Sequence, residues 1–241
     1  MQVIPVIDVR HGVAVRAEAG DRANYQPLRS PISASPDPVD VARRLMALHP
    51  FPVIYVADLD GIESRGANMG LAAAIASATG ATIWLDRGIG PDEYGASLPD
   101  PNVVPVLGSE SDWDVTALAG LNDQQRSASV LSLDFRGETF VGNADLLRRP
   151  DLWPDRVVVM TLGQVGRAGG PDLHRLAAIA RLASTTRSIS VKPVSLYAAG
   201  GVRNRSDLTV LSHAGISGAL VATALHSQTL TADDLQEVTG R

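Results

Sequence analysis

The 241-residue chain contains no cysteine and a single lysine, Lys192. Without thiols it cannot form disulfide bonds, use a catalytic thiolate or bind a metal through cysteine. The other basic residues are all arginine, which serves neither as a Schiff-base amine nor as a proton-transfer base. Any lysine chemistry therefore depends on the position of Lys192.

Long apolar stretches are also missing. Asp, Gly or Pro interrupts each apolar run well before the roughly 20 residues that cross a bilayer, so no membrane span is expected. The first residues lack the basic and apolar segments of a secretory signal, which predicts a cytoplasmic protein. The formal charge of −5, with arginines scattered along the chain, argues against nucleic-acid binding. A hydrophobic content of 45% is typical of a globular protein with a sizeable core.

Short runs rich in Val, Ile and Leu recur along the whole chain, and each is followed by a turn containing Gly or Asp. Nearly continuous apolar strands are typical of a parallel sheet that is covered on both faces. The predicted strands are Gln2–Asp8, Pro52–Asp58, Ala81–Asp86, Asn102–Gly108, Ala128–Asp134, Arg156–Thr161, Val194–Ala199 and Gly218–Ala222.

Helical patterns separate these runs, and Asp37 before Pro38 is a helix-start signal. Eight strand–helix units in about 250 residues predict an α/β fold, a single (β/α)₈ TIM barrel spanning residues 1–241, with a doubly wound open sheet as the alternative. The clearest predicted helices are Val39–Leu48, Asn68–Ser77, Asp112–Ala119, Asp172–Ala183, Arg205–His213 and Ala232–Val238.

An internal repeat supports the barrel. The first run delivers Asp8 to its end with Arg10 two positions later, and the fifth run delivers Asp134 with Arg136 in the same relation. The segments that end the third and fourth runs also resemble those that end the seventh and eighth runs. The chain is therefore predicted to consist of two half-barrel repeats.

Barrel active sites lie where the strands end, at the C-terminal face. Asp8 and Asp134 would face each other there and suit general acid–base work, with one carboxyl protonated and the other ionised. A turn or capping role is the alternative for either Asp, but equivalent placement in two half-barrels favours catalysis. Thr161 ends the sixth run at the same level, where it orients substrate or has a structural role.

Gly200 and Gly201 form a glycine turn that enters a helix, and Thr223 with Ala224 follows the eighth run. These two loops are the frequent phosphate site of the architecture, although a Gly-Gly pair also forms ordinary tight turns. Lys192 precedes the seventh run, which predicts a surface position at the opposite end of the barrel. The histidines show no metal-ligand spacing, so no metal is expected.

The long connection between Arg10 and Asp37 is expected to be functional because of its length. Within it, Arg16 and Arg22 are candidates to clamp a phosphate or carboxylate, or are simply solvated.

The chain resembles the histidine-biosynthesis barrel family, which includes the phosphoribosylformimino-aminoimidazole-carboxamide ribotide isomerase and its cyclase relative. The resemblance implies a general base at Asp8, a general acid at Asp134 and a helper at Thr161 in an Amadori-type rearrangement that needs no metal or organic cofactor. It also implies one phosphate site in each half-barrel. The matching segments are Ile4–Asp8, Val15–Arg16, Gly20–Asp21, Val56–Gly61 with Asn68, Leu107–Ser109, Ser132–Gly137, Thr161 and Gly200–Val202.

The sequence departs from the family pattern at positions that are expected to contact the substrate. Asp86 and Arg87 stand where the family has a glycine turn, and a carboxylate there would repel a phosphate. We expect Asp86, Arg87, Gly108 and Ser109 to contact the substrate in a rebuilt N-terminal half.

Three functions are compatible with these observations. The preferred one is an isomerase-family paralogue acting on another small phosphorylated metabolite, because the segments 16–28 and 35–38 resemble paralogues linked to tetrahydromethanopterin-type one-carbon pathways. The alternatives are the ribotide isomerase of histidine biosynthesis itself, and a non-catalytic phosphate-ligand-binding barrel or partner-dependent subunit. A monomer or small homo-oligomer is expected.

Overall fold

The computed structural model describes residues 1–18, 20–68, 70–94, 100–167, 169–186 and 193–240, so Lys192 lies outside the described residues. Eight parallel strands form a closed barrel in the order β1, β4, β5, β6, β7, β9, β10, β11, with β11 pairing back to β1. The barrel prediction is confirmed, and the closing pair excludes an open sheet. The strands are β1 Gln2–Arg10, β2 Val13–Arg16, β3 Gln26–Pro27, β4 Val53–Asp58, β5 Thr82–Asp86, β6 Val103–Gly108, β7 Val130–Arg136, β8 Thr139–Val141, β9 Arg156–Thr161, β10 Ser195–Ala199 and β11 Gly218–Val221.

Helices connect the barrel strands and cover their outer faces. Short 3₁₀ helices lie at Arg22–Asn24, Pro91–Glu93, Ala144–Arg148, Pro150–Leu152 and Leu162–Gln164. In the described parts of the chain, no helix is long and apolar enough to cross a membrane. The α-helices are α1 Pro38–Leu48, α2 Leu59–Ile62, α3 Leu71–Thr79, α4 Val115–Ala119, α5 Asp123–Ser127, α6 Leu173–Thr186, α7 Arg205–His213, α8 Thr223–His226 and α9 Ala232–Thr239.

Helix α1 begins where the sequence predicts. The Asp37 carboxylate accepts hydrogen bonds of 2.9 Å from the backbone N–H groups of Val39 and Asp40, which the first turn leaves unpaired. Pro38 has no N–H to satisfy and fits the first helical position. The apolar face of α1 buries Val41 and Leu45 against the barrel.

Strand alternation divides the apolar residues into two layers. Val3, Ile7 and Val9 of β1 belong to the layer between barrel and helices, whereas Ile4 points into the barrel. The interior below the strand ends is packed. Trp84 is fully buried, its ring meets that of Tyr197 edge-on with centroids 4.9 Å apart, and the Arg156 guanidinium carbon lies 5.6 Å from the Trp84 centroid. These described side chains therefore fill the barrel interior below the C-terminal mouth.

The half-barrel repeat is visible in two hairpins that extend the barrel at the mouth. Antiparallel β2 pairs with the end of β1, with Asp8 opposite Val15, and antiparallel β8 pairs with the end of β7, with Asp134 opposite Val141. Each Asp thus occupies the same position in an equivalent hairpin. Since β1 and β7 lie four places apart in a ring of eight, the two positions are diametrically opposed.

Candidate active site

A cavity at the mouth of the barrel, called here the main cavity, has a volume of about 940 Å³ including its opening. Four acidic side chains contribute to its lining, Asp8, Asp86, Glu110 and Asp134. They come from β1, β5, the loop after β6, and β7. Among the described residues, however, no group of three or more acidic or histidine side chains is placed to hold a metal ion.

Asp8 lies in the main cavity at the end of β1. Burial raises the pKa of its carboxyl to about 7, and the negative charge of Asp86 adds to the increase. The Arg22 guanidinium acts in the opposite direction and favours the ionised form. Asp8 is consequently a carboxyl group that can accept a proton near neutral pH.

Asp134 is 5% exposed, and burial raises its pKa to about 7. Repulsion from Asp86 and Glu110 raises it further, while hydrogen bonds from two serine hydroxyls act against the increase. Ser132 Oγ donates to Asp134 Oδ1 at 2.9 Å, and Ser109 Oγ lies 2.9 Å from Asp134 Oδ2.

The Ser109 hydroxyl forms more hydrogen bonds than its position at a strand end indicates. Its Oγ lies 2.6 Å from the carbonyl oxygen of Val141 and accepts the backbone N–H of Asp134 at 3.0 Å. A hydroxyl has one proton to donate. When that proton goes to Val141, the contact with Asp134 is satisfied by a protonated Asp134 donating to Ser109.

Asp86 is the third buried carboxyl group. Tyr55 Oη donates to it at 2.9 Å and the backbone N–H of Gly88 at 3.3 Å, yet burial still raises its pKa to about 6. Gly108 adjoins it, because a Cβ atom built there would lie 3.9 Å from Asp86 Oδ1. Arg87 points elsewhere. Its guanidinium forms an ion pair of 3.5 Å with Glu93, and it does not contribute to the described lining of the main cavity.

The wall opposite Asp86 and Glu110 is formed by the ends of β10 and β11. Gly200, Gly201 and Thr223 line it, so three of the four predicted phosphate-binding residues share one wall. The glycines are also required for packing, since a Cβ atom at Gly201 would lie 2.0 Å from the carbonyl oxygen of Gly170 and one at Gly200 2.7 Å from that of Thr161. Ala224 is buried in the helix layer instead.

Thr161 is buried at the end of β9, between two residues, Met160 and Leu162, that line the main cavity. Strand alternation accounts for this, because Met160 faces the barrel interior and Thr161 pairs in register with Phe135, which belongs to the outer layer. Thr161 is outside the described lining, so its helper role stays a prediction.

The hairpin loop after β1 reaches across the mouth to the loop after β6. The Arg22 guanidinium, which reaches the main cavity, forms an ion pair of 2.5 Å with Glu110. The Arg10 guanidinium donates to the carbonyl oxygen of Arg22, and Tyr25 hydrogen-bonds to the backbone of Glu18 and Gly20. Arg16 is not part of this arrangement. It lines an adjoining pocket on the other side of the hairpin.

The sequence reasoning missed five polar residues of the described cavity lining. Tyr55 could have been found, because it alternates onto the interior face of β4 beside Asp86. Glu110 follows the predicted Ser109 directly and could have been found from its place at a strand end. The other three have weaker signals: Tyr25, Arg136 and Arg167.

The acidic motif after β4 has a structural role. The Asn68 side chain donates to Asp58 at 2.6 Å and to Asp60 at 3.0 Å, and the Asn68 backbone N–H donates to Asp58 at 2.6 Å. Asp60 also accepts the backbone N–H of His11 at 2.6 Å. These contacts hold the first two loops together beside the cavity.

The fold and the site define the class as a (β/α)₈ barrel with paired carboxyl groups at its C-terminal face. The profile of the family described as "Histidine biosynthesis protein" matches residues 2–231, and the chain belongs to this family. The family predicted from the sequence is thereby confirmed.

Several relatives match over nearly their full length. An uncharacterized protein of Methanocaldococcus jannaschii is 26% identical over 99% of this chain and 97% of its own. An isomerase of Listeria innocua, named for an imidazole-4-carboxamide bearing two 5-phosphoribosyl groups, is 24% identical over 99% and 98%. Phosphoribosyl isomerase A of Streptomyces coelicolor is 26% identical over 99% and 98%.

Proposed function

We propose that the protein is an isomerase that interconverts aldose and ketose forms of a small phosphorylated metabolite by acid–base catalysis, with Asp8 as the base and Asp134 as the acid. The observation that carries the proposal is the pair of buried carboxyl groups on opposite strands of one cavity, each with a pKa of about 7. Proton transfer by a side chain is most efficient when its pKa lies near the working pH.

The surroundings of the two carboxyl groups favour different protonation states. Arg22 favours ionised Asp8 against the repulsion of Asp86, whereas the charges of Asp86 and Glu110 both disfavour ionised Asp134. The hydroxyl of Ser109 is fully satisfied when Asp134 carries a proton on Oδ2. Two titrating groups with opposite electrostatic biases are the usual basis of an acid–base assignment.

In the proposed reaction, Asp134 donates its proton to the sugar ring oxygen as the C1–O bond opens. The C1 hydroxyl loses its proton as the C1 carbonyl forms. Asp8 then removes the proton from C2 while the C1 carbonyl oxygen gains a proton, which gives an enediol. A proton is finally added to C1 as the C2 hydroxyl loses its proton and the C2 carbonyl forms. The side chains change only their protonation, so no electron acceptor is consumed. Both acids end the cycle in their starting states once Asp8 has released its proton and Asp134 has regained one.

The distribution of charge supports a substrate with a phosphate on one side only. Gly200, Gly201 and Thr223 line the wall that offers backbone N–H groups and a hydroxyl, while Asp86 and Glu110 line the opposite wall. A phosphate beside those two acids would be repelled. We therefore favour a paralogue with an altered substrate, and a one-carbon or methanopterin-type cofactor pathway remains part of this proposal.

The test is incubation of the purified protein in D₂O with a panel of phosphorylated aldoses, followed by proton NMR. Turnover should generate the ketose with deuterium at C1, because the proton that Asp8 removes from C2 exchanges with solvent before one is delivered to C1. Asp8→Asn and Asp134→Asn should each reduce the rate at least 100-fold, by loss of general acid–base catalysis, while circular dichroism stays unchanged. Wild-type rates in both variants would refute the roles of Asp8 and Asp134, whereas no turnover of any aldose by wild type would favour a binding barrel or partner-dependent subunit.

The ribotide isomerase of histidine biosynthesis is the second candidate, supported by the full-length match to relatives named for a substrate with two phosphoribosyl groups. The same NMR assay with that ribotide discriminates between the two. Our proposal predicts that wild-type protein turns it over slowly and that Asp86→Gly improves its KM by removing the repulsive carboxylate. Efficient turnover by wild type would favour the second candidate.

A further inference from the structure

A second cavity, called here the hairpin pocket, adjoins the main cavity on the β1 and β11 side. It has a volume of about 970 Å³ including its opening. One wall is formed by residues 14–17 of the hairpin together with Leu28, Arg29 and Pro31. The other begins at Ala222 and includes His226 of α8. Asp8, Gly166 and Thr223 line both cavities, so a ligand at Asp8 and Thr223 can extend into the hairpin pocket without crossing a wall.

The hairpin pocket is lined by two exposed arginines, Arg16 and Arg29. Neither forms an ion pair or a side-chain hydrogen bond with any described residue. In the same connection, Arg10 and Arg22 pair with Glu63 and Glu110. The pocket therefore concentrates two unneutralised guanidinium groups, and Asp8 is its one acidic lining residue within the described chain.

His226 gives the hairpin pocket a fixed wall without adding charge. Its Nδ1 lies 2.9 Å from Ser30 Oγ, which ties the hairpin side of the pocket to α8. Burial lowers the pKa of His226 to about 4, so the ring is neutral at physiological pH. The positive charge of the pocket thus comes from the arginines alone.

We propose that the hairpin pocket binds a second anionic group of the substrate, a phosphate or a carboxylate, through Arg16 and Arg29. The inference rests on the proposed function and narrows its substrate class to compounds that carry two anionic groups, both on the β10, β11 and β1 side of Asp8. Guanidinium groups bind planar or tetrahedral oxyanions through paired N–H donors. The acidic wall at Asp86 and Glu110 leaves this side as the favourable place for a second anion.

The test is binding of inorganic phosphate and of malonate, each measured by isothermal titration at fixed ionic strength. Wild type should bind phosphate at the hairpin pocket, and the double variant Arg16→Gln/Arg29→Gln should weaken that binding about tenfold or more, because two charge-assisted contacts are lost. Tighter malonate than phosphate binding would identify a carboxylate as the second group.

Arg44→Gln is the matched control, since Arg44 is an exposed arginine of α1 that has no ion pair among the described residues and lies outside both cavities. It should bind both probes as wild type does. Unchanged binding in the double variant, or no binding of either anion by wild type, would overturn the inference. Anion binding is measured without turnover, so the two proposals can fail separately. If the isomerase assay failed but anion binding still depended on the two arginines, the proposed function would be refuted and the hairpin pocket would still be an anion site.

Discussion

At the scale of single residues, the main feature is the accumulation of buried carboxyl groups whose pKa values are raised to between about 6 and about 7. Placing Asp8, Asp86 and Asp134 in one cavity costs stability, because each loses hydration and each repels the others. Such a cost is common where a site is built for chemistry and rare in a purely structural barrel.

This cost predicts a pH-dependent gain in stability for Asp134→Asn. Because the pKa of Asp134 rises from 3.8 to about 7 on folding, its contribution to the free energy of unfolding falls between about pH 4 and pH 7 and is flat above. An amide does not ionise, so the variant should be more stable than wild type at pH 8 by roughly 1–4 kcal/mol. Urea denaturation at pH 5 and pH 8 measures the gain, which should be smaller at pH 5.

Asp145→Asn is the control for this prediction. Asp145 is half exposed and pairs with Arg148 at 2.6 Å, so its loss should change stability little at either pH. If Asp134→Asn destabilised the protein equally at pH 5 and pH 8, the result would show that folding does not raise the pKa of Asp134.

At the scale of elements, the β2–β3 hairpin is the segment that shapes both cavities. It carries Arg22 over the main cavity and Arg16 beside the hairpin pocket. Its one described ion pair to another barrel loop is that of Arg22 with Glu110 in the loop after β6, and both side chains are roughly one-fifth exposed. An ion pair with this partial burial is worth about 1 kcal/mol.

Glu110→Gln should therefore loosen the hairpin. We expect amide hydrogen exchange over residues 20–25 to accelerate about fivefold, the effect of losing about 1 kcal/mol of local stability. Mass spectrometry of exchanged peptides gives the measurement. Asp145→Asn, which breaks an exposed pair in the loop after β8, should leave this exchange unchanged. Equal exchange in wild type and Glu110→Gln would show that the ion pair does not hold the hairpin.

The elements differ in how far the sequence predicts them. Strand β9 and helix α7 have the predicted bounds, because apolar runs and helical periodicity are local signals. The two hairpins were missed. Strands β3 and β8 have only two and three residues, and their register depends on pairing with strands already in the barrel.

The sequence predicts those site residues whose positions are set by the ends of strands. It does not predict the contacts that are set by the conformations of loops. Asp8 and Asp134 follow from the repeat, since strand ends converge in a barrel. Arg87 lies outside the described cavity lining because the turn after β5 directs neighbouring side chains apart, Asp86 into the cavity and Arg87 toward Glu93. The ion pair between Arg22 and Glu110 joins residues 88 positions apart, a distance that no local pattern reports.

At the scale of the whole molecule, the closing pair between β11 and β1 determines whether the barrel forms. Gly218 lies in this seam, in register with Gln2 and Tyr197. A Cβ atom at Gly218 would lie 2.7 Å from the Gln2 carbonyl oxygen and 2.7 Å from Tyr197 Cδ1. The seam therefore has no room for a side chain.

Gly218→Ala should destabilise the protein by about 1–3 kcal/mol through overpacking. The measurement is urea denaturation followed by far-ultraviolet circular dichroism. Gly90→Ala is the control, because Gly90 has a φ of −83° and no atom of the described residues lies within 4 Å of the position a Cβ would take. If both variants were equally stable, the seam would be more accommodating than its geometry indicates.

The packed interior beneath the mouth also limits the routes by which substrate can enter and product can leave. Among the described residues, Trp84, Tyr197 and Arg156 fill the barrel below the main cavity and separate it from the face where the strands begin. A molecule that enters past the hairpin has to leave past the hairpin, and product still bound excludes the next substrate. Direct hand-over to a following enzyme would accordingly require that enzyme to dock on the strand-end face, where it would also meet the hairpin.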